Sequence, residues 1–166
     1  MDRPSKLEIF LKIVHLISKR STCKKYKVGC IIVDTVTSNI ISVGYNGTPK
    51  GYTHCSSIKT DDHEIGCLEI HAEVNALAKA RNPEGHETAI YVTHKPCLNC
   101  AKTILAFKQT LNITSIVYMF DFVDKTAKEE NISIEGFLTH NGISISSISI
   151  PMLETITNNK GSQDLC

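Results

Sequence analysis

The sequence predicts an α/β domain, a three-layer α/β/α sandwich built on a central mixed sheet of about five strands. Short apolar runs of strand length alternate with stretches of helix formers, the pattern of a sheet covered by helices. The first two strand-like runs are joined by a turn short enough for an antiparallel hairpin, whereas later runs are separated by helices, so the sheet is mixed. A chain of 166 residues with 42% hydrophobic content closes one ordinary core more readily than two. The predicted division is one domain over residues 1–150 and a C-terminal tail over 151–166.

From Ser5 to about Arg20 the apolar residues Ile9, Phe10, Ile13, Val14, Leu16 and Ile17 recur at helical spacing. Val28 to Val33 and Ile40 to Tyr45 read as the two strands of a hairpin around the polar turn Asp34 to Asn39. The stretch from Gly44 to Gly51 is dense in turn formers and reads as a loop, and Tyr52 to Glu69 has no clear period, which marks a long connection of functional type. His71 to Arg81 is a helix ending near Asn82-Pro83, Ala89 to Thr93 a strand, and Pro96 opens a helix running to about Lys108. Ile113 to Met119 is the next strand. Asp124 caps one further helix ending near Asn141-Gly142, and Ile143 to Ile148 alternates isoleucine with serine as a last strand with one wet face. The tail from Asn158 onward reads as disordered.

The formal charge of +1 arises from 18 basic and 17 acidic residues spread along the chain, so no footprint for a nucleic-acid polymer or an anionic membrane is visible. No apolar run reaches the length of a membrane span or a secretion signal, which places the protein in a cytosol-like compartment, the host cytoplasm if its source is viral. Seven cysteines are many for such a reducing compartment, where clustered thiols more often bind metal than form disulfides.

The sharpest signal is His71-Ala72-Glu73 followed by Pro96-Cys97-Leu98-Asn99-Cys100, the signature of zinc-dependent deaminases. A catalytic zinc takes three protein ligands and keeps one position open for water, so His71, Cys97 and Cys100 are the predicted ligands. Cys97 and Cys100 lie three apart in a first helical turn, where both sulfurs share a face and the positive helix end is expected to lower both thiol pKa values. Pro96 sits where a missing N–H costs little. Glu73 faces the water without ligating and is the predicted general acid/base, moving a proton to ring N3 of a cytosine and then to the departing ammonia. Either half alone also fits a zinc knuckle or an ordinary exposed helix start; their joint occurrence in order decides for catalysis.

On these residues the chain resembles the cytidine and deoxycytidylate deaminase superfamily, and its deoxycytidylate branch with phage and viral members in particular. The resemblance runs from about Leu7 to Ile148. It is carried by Val28-Gly29-Cys30-Ile31-Ile32, the loop Gly44-Tyr45-Asn46-Gly47-Thr48-Pro49, Ile70 to Ala76, and Pro96 to Lys102. It implies a cytidine-deaminase-like fold and hydrolysis of dCMP to dUMP and ammonia. By resemblance Asn46 contacts the sugar of the substrate, Ala72 also belongs to the substrate-binding residues, and Gly44, Tyr45 and Gly47 bind a nucleotide effector. A plain turn is the bland reading of the same loop.

The resemblance further implies a second, structural zinc at Cys23, Cys55, a histidine for which His63 is the nearest candidate, and Glu69. The segment before His71 is shorter than in the phage pattern, His63 is shifted, and Cys67 competes with Glu69 for the fourth place. The substrate phosphate is assigned to Lys25 or Lys27, with Lys24 beside them. Phe122 is expected to stack on the base, and His94 and Lys95 to line the pocket mouth. Activation by dCTP, inhibition by dTTP and assembly into a homo-oligomer, a hexamer, are implied by the resemblance alone. The alternatives are a deaminase of another free nucleotide or base (dCTP, CMP or guanine) and an inactive zinc-stabilised binding module. Near-neutral charge argues against tRNA as substrate, and a histidine rather than a third cysteine at position 71 argues against free cytidine.

Overall fold

The computed structural model describes residues 3–54 and 68–148. Cys55, His63, Cys67 and the tail 151–166 lie outside the described residues, so the expectations attached to them are carried by sequence alone.

The chain begins with α1 (Lys6–Ser18), which starts at a capping box: the Ser5 hydroxyl accepts from the Glu8 N–H, and the Glu8 carboxylate accepts from the Ser5 N–H at 2.8 Å. The hairpin follows as β1 (Gly29–Asp34) and β2 (Ile40–Tyr45), then α2 (Ala72–Leu77), β3 (Thr88–His94), α3 (Leu98–Leu111), β4 (Ile113–Phe120), α4 (Lys125–Glu129), α5 (Ile134–His140) and β5 (Ser144–Ser147). The strand order is β2-β1-β3-β4-β5. β1 pairs antiparallel with both β2 and β3, whereas β3–β4 and β4–β5 are parallel, which gives the expected mixed five-stranded sheet.

Every residue of β1 is buried, because helices cover both faces of the strand. Cys30 and Ile32 point into the larger core, shared with Ala76 of α2, Ile104 of α3 and Leu138 of α5. Ile31 and Val33 point the other way, onto Phe10, Leu11 and Val14 of α1. This alternation makes the three layers. Two glycines let the layers close: a Cβ at Gly29 would lie 2.3 Å from the Val14 carbonyl oxygen, and one at Gly44 would lie 2.2 Å from the Ala72 carbonyl oxygen. The glycine at 44, expected on the sequence to serve an effector, thus also has a packing reason to lack a side chain.

The structure corrects three expected elements. The single helix from Asp124 to Asn141 is two, α4 and α5, because Asn131 turns left-handed (φ 55°) and the Ser133 side chain starts a new cap by accepting from the Gly136 N–H. The helix expected over His71 to Arg81 stops at Leu77 and tightens, the Ala80 N–H sharing the Ala76 and Leu77 carbonyls. The third helix begins one residue after Cys97, which is its N-cap, so Pro96 precedes the helix; at the other end the helix runs past Lys108 to Leu111, where Asn112 adopts the left-handed conformation (φ 51°) of a helix stop.

Candidate metal and nucleotide site

Two helices begin at the same end of the sheet, where β3 and β4 finish and β1 begins. His71 is the N-cap of α2 and Cys97 the N-cap of α3, so the two starts bring the predicted ligands together. His71 Nδ1 lies 3.2 Å from Cys100 Sγ and 3.4 Å from Cys97 Sγ. All three donor atoms fall within 4.8 Å of one another, and among the described residues no other His, Cys, Asp or Glu cluster is this tight. Zinc bond lengths of about 2.3 Å to sulfur and 2.0 Å to nitrogen place tetrahedral neighbours roughly 3.5 Å apart, so the donor set fits zinc.

The two thiols do not behave alike, which corrects the expectation that the helix end lowers both. Cys97 is held down to about 4, foremost by a hydrogen bond from the Cys100 thiol, with His71 and the Cys100 N–H adding to it. Cys100 is pushed up, because it donates to Cys97 and is buried. Two sulfurs this close share one proton until a cation replaces it. His71 is raised from its ordinary value, chiefly by its hydrogen bond with Cys97 and against its burial.

Glu73 follows His71 in the first turn of α2 and is only 4% exposed. Burial raises its carboxyl above the ordinary value, more than hydrogen bonding and the His71 charge lower it. A buried carboxyl that prefers its proton more than usual, beside a metal-competent cluster, is suited to carry a proton both ways.

These groups open into a pocket of about 160 Å³. Of the residues singled out on the sequence it is lined by Cys23, Lys25, Asn46, Glu69, His71, Ala72, Glu73, His94, Lys95, Cys97 and Phe122. Lys27, Lys24, Gly44, Tyr45 and Gly47 are not in the lining. Of the two favoured phosphate candidates the structure therefore brings Lys25 to the pocket and not Lys27. Gly47 instead forms an isolated bridge to Ile70, with N–H···O bonds of 3.1 and 3.0 Å in the two directions. Tyr45 lies under the Arg20 guanidinium, 5.9 Å from its ring centre.

Asn46 is buried, and its amide is committed on both sides: Oδ1 accepts from the Val28 N–H at 2.8 Å and Nδ2 donates to the Tyr26 carbonyl at 2.8 Å. It therefore braces the segment that carries Lys25 and Tyr26 as well as lining the pocket. Lys95 is ion-paired with Glu135 of α5 and, at 3.6 Å, with Asp121. Its charge is divided between these partners and the pocket.

Cys23 and Glu69 line the same pocket. Glu69 Oε1 accepts from the Thr22 hydroxyl at 3.3 Å, while Oε2 is buried with no hydrogen-bond partner among the described residues. Burial raises the Glu69 carboxyl.

Sequence reasoning missed three contributors. Tyr26 builds an aromatic wall, its ring centre 5.9 Å from His94 and 5.6 Å from Phe122, both edge to face; a lone tyrosine among lysines gave no signal. Asn75 Nδ2 donates to the Tyr45 carbonyl at 2.9 Å and the Ile70 carbonyl at 3.4 Å, tying the end of β2 to α2. A polar residue on the short helix that His71 caps was the available clue. Glu135, the partner of Lys95, is distant in sequence and unmarked.

Residues 4–119 match a family model described as the cytidine and deoxycytidylate deaminase zinc-binding region. The chain is 37% identical over 126 residues to the deoxycytidylate deaminase of Schizosaccharomyces pombe, covering 70% of this chain and 37% of that protein's length. It is 33% identical over 118 residues to the deoxycytidylate deaminase of Mycobacterium phage D29, covering 64% of this chain and 91% of the phage protein. Among solved structures it is similar to the dCMP deaminase of cyanophage S-TIM5 in complex with dCMP and dUMP, with a TM-score of 0.65 and 28% identity over 89% of this chain and all of that one. No helix among the described residues is long and apolar enough to cross a membrane. The match spans both helix starts that carry the metal donors and the buried glutamate between them, and the chain belongs to the cytidine and deoxycytidylate deaminase family.

Proposed function

We propose that this chain hydrolyses the 4-amino group of dCMP, giving dUMP and ammonia, a step in making pyrimidine deoxynucleotides. The observation that carries the reading is the buried Glu73 beside the clustered His71, Cys97 and Cys100 donors, with Glu73, His71 and Cys97 lining one pocket. Zinc held by those three residues supplies a Lewis acid that makes water nucleophilic at neutral pH. Glu73 takes a proton from the attacking water and delivers it to ring N3; a second proton passes through it to the amine as the C4–N bond breaks and ammonia leaves. His94, Tyr26 and Phe122 enclose the base and limit bulk water, Ala72 leaves room for it, Asn46 sets the sugar position, and Lys25 offers the phosphate a cation.

A second, structural zinc joins Cys23 with Cys55, His63 and either Glu69 or Cys67. The Glu69 oxygen that has no partner among the described residues supports Glu69 over Cys67, since a buried carboxylate oxygen without a donor is costly unless a cation meets it. Regulation by dCTP and dTTP at Gly44, Tyr45 and Gly47, a hexameric assembly and a cytoplasmic location complete the reading, and rest on the resemblance to the deoxycytidylate branch.

Purified protein supplied with zinc is to be assayed for ammonia release from dCMP, CMP, cytidine, dCTP and guanine in parallel, with and without dCTP as effector. Preference for dCMP is expected. Inactivity on every cytosine compound with turnover of guanine would move the substrate, and inactivity on all of them would leave a zinc-stabilised binding module.

A further inference from the structure

The first turn of a helix leaves N–H groups without intrahelical partners, and an N-cap oxygen usually takes one of them. α3 starts instead at Cys97, whose sulfur takes the Cys100 N–H at 3.4 Å and is also a metal donor. The N–H of Leu98, between the two ligand cysteines, is taken by a residue from elsewhere in the chain: Asp124 Oδ2, at 2.6 Å. The other oxygen of the same carboxylate accepts from the Ala127 N–H at 3.4 Å, at the start of α4. One half-buried side chain therefore ties two helix starts together, and one of them carries both cysteines.

We propose that Asp124 is a positioning residue for the metal site, holding the Leu98 amide so that the Cys97 and Cys100 sulfurs keep their ligand geometry whether or not a metal is bound. This rests on the assignment of His71, Cys97 and Cys100 as zinc ligands. The carboxylate supplies the oxygen acceptor that a cysteine N-cap lacks, and it does so through a charge-assisted bond, which is about twice as strong as a neutral one. Because the bond reaches from the β4–α4 connection to the cysteine turn, it also fixes that turn against the ends of the strands that bear His94 and Phe120. Partners that orient metal ligands from outside the coordination sphere typically contribute about 10–100-fold in metal affinity.

The test measures zinc affinity of the full chain by competition with a chromophoric chelator, and the absorption spectrum after cobalt substitution, for the unaltered protein, Asp124→Ala, Asp124→Asn and Ser133→Ala. The last removes a helix cap on α5 and is not among the pocket-lining residues. Asp124→Ala is expected to bind zinc about 10–100-fold more weakly and to shift the cobalt bands. Asp124→Asn, which keeps one oxygen acceptor, should recover part of the affinity, and Ser133→Ala should bind zinc as the unaltered chain does. Equal affinity in Asp124→Ala and the unaltered protein overturns the inference, as does a loss no larger than that of Ser133→Ala. If Asp124→Ala does not fold, Asp124→Asn decides: undiminished zinc affinity with unchanged cobalt bands overturns it, and weakened binding supports it. Failure of the unaltered chain to bind zinc would instead sink the ligand assignment itself.

Discussion

The two ends of the sheet use carboxylates in opposite ways. At the end away from the pocket, Asp34 closes β1: its Oδ1 accepts from the Val36 and Thr37 N–H groups at 2.8 and 2.9 Å, and its Oδ2 meets His86 Nδ1 at 2.8 Å. Asn82 donates to the His86 and Leu111 carbonyls, and the Thr88 hydroxyl to Leu111, so the polar groups there are paired. The Thr37 N–H foremost, with His86 and Val36, brings the Asp34 carboxyl down from 3.8 to about 2. At the pocket end, burial raises both Glu73 and Glu69, and one Glu69 oxygen has no partner among the described residues. The paired end is built to stay folded. At the other end, buried acids whose protons are held more tightly than usual are suited to exchange a proton or meet a cation.

The largest expected effect tests that contrast at Glu73. Glu73→Gln should lower ammonia release from dCMP by about 10²–10⁴-fold, the range of general acid–base catalysis, while zinc content measured by metal analysis stays unchanged. Zinc lost together with activity would mean that Glu73 belongs to the ligand set rather than to proton transfer.

Next in size is the junction of sheet and α2. Gly44→Ala places a Cβ where the Ala72 carbonyl and the Ala76 amide already stand, so overpacking should cost about 1–3 kcal/mol, read as a fall in denaturation midpoint. A midpoint equal to the unaltered protein's would show that α2 can withdraw from β2 without penalty.

The paired end predicts an acid limb. The folded-state pKa of Asp34 is depressed, so its stabilisation is fully present above the unfolded value of 3.8 and is lost as pH falls through about 2. Asp34→Asn should therefore flatten stability between pH 3.8 and 2 and leave the pH dependence above 5 as it was; acid titrations of denaturant midpoints check this. An unchanged acid limb in the variant would assign the effect to other carboxylates.

The smallest effect lies far from both ends. Ser5→Ala removes the capping box of α1 and should cost about 1 kcal/mol, with no change in KM or kcat for dCMP.

Much of this was legible in one dimension because it rests on local chemistry. Helix period, the hairpin turn and the alternation of Ile143 to Ile148 each depend on neighbours a few residues apart. The His71-Ala72-Glu73 and Cys97 to Cys100 spacings predicted three donors and a proton carrier, and the structure brings the three donor atoms within 4.8 Å of one another. The break between α4 and α5 was illegible, because apolar spacing runs on across Asn131, while the left-handed turn there is set by the fold around it. The unequal thiols were hidden for a related reason: each cysteine alone sits well at a helix start, and only their proximity makes them share a proton.

The sequence by itself thus determined the alternation of strands and helices, apart from the α4–α5 break, and the candidate metal donors with an acid beside them, since each follows from side-chain type and short-range spacing. Tertiary structure decided the rest. It chose Lys25 over Lys27 for the pocket, turned Asn46 into a brace across Tyr26 and Val28, gave Lys95 to Glu135, and brought Asp124 to the amide of Leu98. Those choices depend on which elements the sheet order sets side by side, and contacts between distant segments leave no spacing in the chain to be read.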